Sequence, residues 1–298
     1  MSAHRHAPHG TPTALLAALT LALVAAPGAP RTSAAAGETS ARSAAEWIDR
    51  MDAALLPGTS MVARARIETH GETGGVTADV IDLARTSADG ESRTLIEVEA
   101  PQEGEGLAYE IVARPGRPLE RWAWLPSVRR LRRIVGVRRT DPFLGTEFSY
   151  EDLALAAPVE RRAGAVRWVD EHGERLVELE SPPYHYYERV VTRIDPDTAL
   201  PRSVYFYDRA GRLFREETFD DVRRIDGRPY PGRITALDRL TGSRSVLVFE
   251  SIHFDVAIPP ERFAESAVRR RLRSGSELIP DEAAVEAPDA AAKMSPSD

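Results

Sequence analysis

The feature that most constrains this chain is a change of hydrophobic period at Ser60 that then persists to Phe254. Met61, Ala63, Ala65 and Ile67 alternate with Val62, Arg64, Arg66 and Glu68, so an extended segment there carries one apolar and one charged face. Short extended runs recur at 76–84, 93–98, 107–113, 166–169, 175–179, 187–194, 201–207, 213–219, 233–237 and 245–254. Turn signals separate them: Ala88-Asp89-Gly90-Glu91, Asp170-Glu171-His172-Gly173, Asp195-Pro196-Asp197-Thr198, Asp208-Arg209-Ala210-Gly211, Ile225-Asp226-Gly227-Arg228 and Leu240-Thr241-Gly242-Ser243. Asp and Gly suit such loops because they tolerate positive φ. None of the intervals is a helical crossover of the kind a parallel pair needs. Roughly ten or eleven strands in one unbroken series imply a mainly β fold with flanking helices, a single curved antiparallel sheet or half-open barrel, and argue against parallel α/β.

The two ends read as helical. Ser43 and Glu46 form a capping box for a helix through Leu56, in which Trp47, Ile48, Met51 and Leu55 share one face before Pro57-Gly58 stops it. Such a helix packs on the sheet, or acts as a lid. Pro259-Pro260 opens a last short helix over 261–272, with Phe263 and Val268 apolar and an arginine-rich end.

Ahead of the domain, the uninterrupted apolar run Ala14 to Ala26 follows His4 and Arg5. It is shorter than the ~20 residues of a membrane span and fits the core of a signal peptide. Residues 1–36 are therefore read as signal peptide and leader, 37–273 as one domain, and 274–298, rich in Ala, Pro, Ser and acids, as a disordered tail. The chain has no cysteine, which removes disulfides, thiolate metal sites and a lipidated anchor. The expectation is a soluble monomer exported to the periplasm. Without residues 1–36 the chain carries 37 basic against 46 acidic residues, a net charge of −9, a poor balance for nucleic-acid binding.

Catalytic patterns are missing. There is no Gly-rich phosphate loop, no G-x-S-x-G and no His-Glu-x-x-His. His70, His172, His185 and His253 are widely spaced, so neither a metal nor another cofactor is expected. Glu216-Glu217 and Asp220-Asp221 are adjacent acids, which a strand points to opposite faces, and they read as solvated edges. Tyr184, Tyr186, Tyr187, Tyr205, Phe206 and Tyr207 sit on two neighbouring strands, either as packing or as the lining of an apolar cavity, since a curved sheet not filled by its own side chains can hold a small ligand.

The stretch from Glu120 to Leu153 stands apart. Trp122 and Trp124 share a strand face, Pro126-Ser127 turns, and the return strand is basic, with Arg129, Arg130, Arg132 and Arg133, followed by Arg138 and Arg139. Between Arg114 and Arg139 nine arginines face one acid, Glu120. That is either a solvated sheet edge, which also resists edge-to-edge pairing, or an anion-attracting rim for lipid phosphate or an acidic partner. The residues WAWLPSVRRLRRI followed by RRTDPFLGTEFSYEDL resemble the hallmark segment of the LolA-like outer-membrane lipoprotein-sorting proteins, with Asp141-Pro142 departing from that pattern. The resemblance implies a periplasmic half-open β-barrel whose concave apolar face, covered by helices, takes the acyl chains of a lipoprotein or lipid, working alongside an inner-membrane exporter or outer-membrane acceptor. Within the matching segment the candidate acyl contacts are Trp122, Trp124, Phe143, Leu144, Phe148 and Tyr150. The segment 141–153 reads as a flap at the cavity mouth.

Overall fold

The computed structural model describes residues 42–99, 106–125, 130–135, 140–154, 164–183 and 187–274. The expected signal peptide at 1–36 lies outside them, as does the tail beyond Ser274.

Helix α1 (Ala44–Leu55) starts at the expected capping box. The Ser43 N–H donates to Glu46 Oε2 at 2.6 Å, and the Glu46 N–H donates to Ser43 Oγ at 3.3 Å. Thirteen strands follow: β1 (Ser60–His70), β2 (Val76–Ala88), β3 (Glu91–Val98), β4 (Leu107–Ala113), β5 (Glu120–Leu125), β6 (Arg130–Arg133), β7 (Ala165–Glu171), β8 (Glu174–Ser181), β9 (Arg189–Ile194), β10 (Pro201–Tyr207), β11 (Leu213–Ile225), β12 (Arg228–Asp238) and β13 (Arg244–Phe254). A 3-10 turn (Pro260–Phe263) leads into α2 (Glu265–Ser274).

All the strands form one antiparallel, curved, unclosed sheet in the order β6-β5-β4-β3-β2-β1-β13-β12-β11-β10-β9-β8-β7. Its centre is the pairing of β1 with β13, where Met61 opposes Phe254 and Ile67 opposes Leu247. The first and last strands thus meet in the middle, and the middle of the chain forms both edges. The count reaches thirteen because the tryptophan strand and its basic return strand, β5 and β6, join the eleven other runs; elsewhere backbone pairing continues where apolar alternation stops. The expected strand 213–219 runs on to Ile225, with Val222 paired to Pro231 and Arg223 to Tyr230.

Alternation gives each strand two working faces. On the concave side Met61, Ala63, Ala65, Ile67, Ile81, Leu83, Ile96, Tyr109, Ile111 and Ala123 join Tyr230, Leu247 and Phe249 in the main core. On the outer side Val62, Ala84, Leu95, Ala108 and Trp124 lie beneath Phe263 and Val268. Residues of one strand two apart thus belong to the same cluster and adjacent ones to opposite clusters. The helix α2 approaches so closely that a Cβ on Gly106 would stand 2.9 Å from Leu272 Cδ2. Arg271 reinforces the contact through Glu97, with Nη2 donating to Oε1 at 2.7 Å and Nε to Oε2 at 3.2 Å.

Helix α1 covers the concave side at the other half of the sheet, where Trp47, Ile48 and Met51 pack on Val177, Leu179 and Ile194. Of the two helices, α1 therefore lies over the concave face and α2 over the outer one. No helix among the described residues is long and apolar enough to cross a membrane.

Candidate functional site

The concave face has a filled end and a hollow end. The filling is the segment 141–153. Pro142 bridges Ser149, and the Phe143 N–H donates to the Phe148 carbonyl at 2.7 Å. Leu144 (φ 52°) and Gly145 (φ 74°) turn the chain through the left-handed region, which costs glycine nothing and leucine about 1–2 kcal/mol. Past the turn, Ser149 and Asp152 cap one another: the Ser149 N–H donates to Asp152 Oδ2 at 2.6 Å, and the Asp152 N–H to Ser149 Oγ at 3.3 Å.

The turn directs three aromatic rings onto the sheet. Phe143 is fully buried, with its ring 5.0 Å from Tyr109 and 5.4 Å from Tyr150, both edge-on. The segment is tied to the sheet at its middle and at its C-terminal end. The Glu147 N–H donates to Ser245 Oγ at 2.9 Å on β13, Ser243 Oγ donates to Glu147 Oε1 at 2.6 Å, and Thr94 of β3 donates through its hydroxyl to the Ala154 carbonyl. Packed and tied in this way, it lies as a strap across the concave face.

Beyond the strap, a cavity of about 200 Å³ opens between the sheet and α1. Met51, Leu55 and Leu56 form its helical wall; Leu83, Val190, Val204, Phe206, Phe219, Tyr230, Ile234, Leu247 and Phe249 form the sheet wall; Phe148 and Leu153 close the strap side. Its volume is below the ~300–1,000 Å³ of typical small-molecule pockets.

One pole of the cavity is polar. Glu151, Asp152 and Glu217 reach it, and behind them Arg215 donates to both Asp152 and Glu217. Burial opposes the charge on Arg215, but the carboxylates of Asp152 and Glu217 outweigh it and raise its pKa above the ordinary arginine value. Burial likewise raises the hydroxyls of Tyr187 and Tyr230. Glu217 is therefore no solvated edge. It is buried against Arg215, while Glu216, across the strand, pairs with Arg239. A buried charge in a polar-looking strand has to be paired in this way.

The structure distributes the residues expected from sequence. Phe148 is in the cavity wall; Phe143 and Tyr150 are in the strap's packed cluster, and Leu144 is half-buried at its margin. Trp124 is buried on the outer face under α2, and Trp122 lies half-buried on that same outer face, paired with Arg133. Neither tryptophan reaches the cavity, because Ala123 is the residue of β5 that faces the concave core. Arg130, Arg132 and Arg133 are exposed on the edge strand β6, with no ion pair among the described residues, whereas Arg129, Arg138 and Arg139 lie outside the described residues. Tyr187 and Phe206 line the cavity; Tyr205 and Tyr207 instead stack under Arg193 and Arg189 on the other face. Tyr184, Tyr186 and His185 are outside the described residues.

The cavity residues that sequence reasoning passed over are Asp152 and Tyr230, with Arg215 behind them, and Glu217 was read there as solvated. Arg215-x-Glu217 does carry a signal, since i and i+2 on a strand share a face and opposite charges there can pair.

A family model described only as an uncharacterized protein matches residues 90–270. No curated protein sequence matches the chain. Among solved structures, it is similar to a provisionally described outer membrane lipoprotein-sorting protein domain from Vibrio parahaemolyticus, with a TM-score of 0.67 and 22% identity over 75% of this chain and 97% of that one. It is similar to a DUF1329 family protein from Desulfovibrio piger, with a TM-score of 0.67 and 20% identity over 76% and 97%. A LolA superfamily protein from Nitrosomonas europaea aligns with a TM-score of 0.61 and 21% identity over 75% and 98%. At these identities the likeness is one of fold.

Proposed function

The chain belongs to the family of uncharacterized proteins whose model matches residues 90–270 and has a LolA-like fold, and from that premise we propose that it is a periplasmic carrier of acyl chains. Its role is binding and hand-over without a catalytic step. The cargo is a lipoprotein or lipid moving toward the outer membrane, delivered by an inner-membrane exporter or received by an outer-membrane acceptor, and the carrier works as a soluble monomer. The observation that carries this reading is the apolar cavity between α1 and the concave sheet. Each acyl methylene transferred into it contributes about 0.8 kcal/mol, so a few of them suffice for reversible capture. Loading widens this small cavity by moving α1, which is a single amphipathic helix held on Val177, Leu179 and Ile194, while the strap, tied to both β3 and β13, stays in place. Native mass spectrometry of protein purified without detergent, together with uptake of a fluorescent fatty acid, tests the proposal. Retained lipid or saturable uptake is expected; the absence of both refutes it.

A second reading is supported by the unpaired arginines of β6. In it, the chain is an envelope sensor or scaffold that docks an acidic partner through Arg130, Arg132 and Arg133. Replacing those arginines by serine then abolishes partner binding and leaves acyl uptake intact. Binding that survives the substitution leaves the strip as a solvated edge.

A further inference from the structure

We infer that Arg85 is the receptor for the anionic head group, carboxylate or phosphate, of the amphiphile whose tail enters the cavity. The inference rests on the carrier reading and narrows its cargo.

Arg85 is 5% exposed and lies on the concave side of β2, opposite Met61 of β1 and Thr94 of β3. Its guanidinium makes no ion pair and donates no hydrogen bond among the described residues, and its Nε is fully buried without a partner. Comparably placed arginines are treated differently. Arg215 holds Asp152 and Glu217, and Arg271 holds Glu97. A guanidinium does not neutralise itself by losing a proton, so an unpaired one in an apolar core is an uncompensated cation. Burial lowers its pKa, which is the signature of that penalty.

The polar neighbour named by electrostatics is Tyr230, whose own hydroxyl is held neutral by burial and offers only a dipole. What this position lacks is an anion.

Its location relative to the cavity supplies the link. Leu83 and Tyr230 line the cavity. Arg85 follows Leu83 by two residues on the same strand face, a step of about 7 Å. A tail among Leu83, Leu247 and Phe249 therefore places its head beside Tyr230 and Arg85. At the other pole Arg215 is already taken up by Asp152 and Glu217 and offers an anion no free charge. The two poles together orient an anionic amphiphile head-first toward Arg85.

The test uses the mature protein and ligands of one tail length: hexadecanoate, hexadecyl phosphate and hexadecanol, each competing with an uncharged fluorescent probe. Wild type is expected to bind the anions roughly ten- to a hundredfold tighter than the alcohol, the range of a charge-assisted hydrogen bond. The ratio between carboxylate and phosphate identifies which head the site takes. Arg85→Met should bring both anions down to the level of hexadecanol, leave hexadecanol unchanged, and melt at the same or a higher temperature without ligand. Arg85→Lys should restore most of the anion preference. Equal affinity for all three heads in wild type overturns the inference, as does an Arg85→Met protein that loses hexadecanol too or fails to fold. If none of the three ligands binds, the carrier reading falls as well, which separates the two failures.

Discussion

The distinction between a strap and a flap can be decided by removing one ring, in Phe143→Ala. Phe143 is fully buried, stands edge-on to Tyr109 at 5.0 Å and Tyr150 at 5.4 Å, and belongs to a turn pinned by hydrogen bonds that do not involve its side chain. The substitution therefore deletes packing and leaves the backbone contacts of the turn in place. Burial of a phenylalanine in a core that cannot fully collapse is worth about 3–5 kcal/mol, of which each aromatic pair contributes ~0.5–1.5. For a domain of this size that corresponds to a fall in Tm of about 6–20 °C. Urea denaturation followed by circular dichroism should show a lower midpoint with an unchanged m-value, since the surface exposed on unfolding is nearly the same. A loss below about 1 kcal/mol would mean that the ring spends much of its time off the sheet. The segment would then be a mobile flap, and the packing argument made for it would be wrong.

Four further outcomes follow from the same geometry. Leu144→Gly, at φ 52°, should change stability by less than about 1 kcal/mol, because relief of the left-handed strain offsets the lost packing of a half-buried side chain; a large loss in the same urea titration would contradict this. Arg271→Ala strands Glu97 and should cost about 3–5 kcal/mol, with a red shift of tryptophan emission as α2 leaves Trp124. Arg215→Met, which leaves Asp152 and Glu217 facing each other, should cost about 3–5 kcal/mol, and Glu217→Gln, which keeps Arg215 paired with Asp152, clearly less; the two midpoints measured side by side check the ordering. Burial pushes Tyr109 up to about 12 and raises Tyr187 and Tyr230 as well, so the folded state keeps protons that the unfolded chain releases above its ordinary value of about 10. Stability is then intact below about pH 10 and declines as pH rises through it, with tyrosinate absorbance appearing together with unfolding; full tyrosine ionisation in the folded protein near pH 11 would refute the assignment.

Local features were legible in the sequence because their causes are local. The Ser43–Glu46 capping box starts α1, and Asp89-Gly90 makes the expected turn with both residues at positive φ. The strands at 107–113 and 201–207 match their alternation to the residue. What could not be read is which face of the sheet is concave. Trp122 and Trp124 on one side of β5 and Ala123 on the other satisfy the same alternation, and only the curvature and α2 decide that the tryptophans lie outside. The buried ions were hidden for a related reason. Arg215, Glu217 and Arg85 have the composition of a solvent-facing strand, and their burial comes from α1, the strap and strands distant in sequence. The arginine-rich stretch, conversely, was as exposed on β6 as its composition suggested.

The placement of the terminal helices has a kinetic consequence. The strands β1 to β6 and β7 to β13 are two meanders of nearest-neighbour hairpins, each able to form from local contacts, and they join at one seam, β1 against β13. Closing that seam brings together residues almost a whole domain apart, the slowest kind of step in folding a sheet. Each helix then docks on the meander to which it does not belong: α1, attached to β1, on β8 and β9, and α2, attached to β13, on β2 to β5. The halves are cross-latched. A chain cut between β6 and β7 should therefore reassemble from its two fragments, and pulling the seam apart requires both latches to release first.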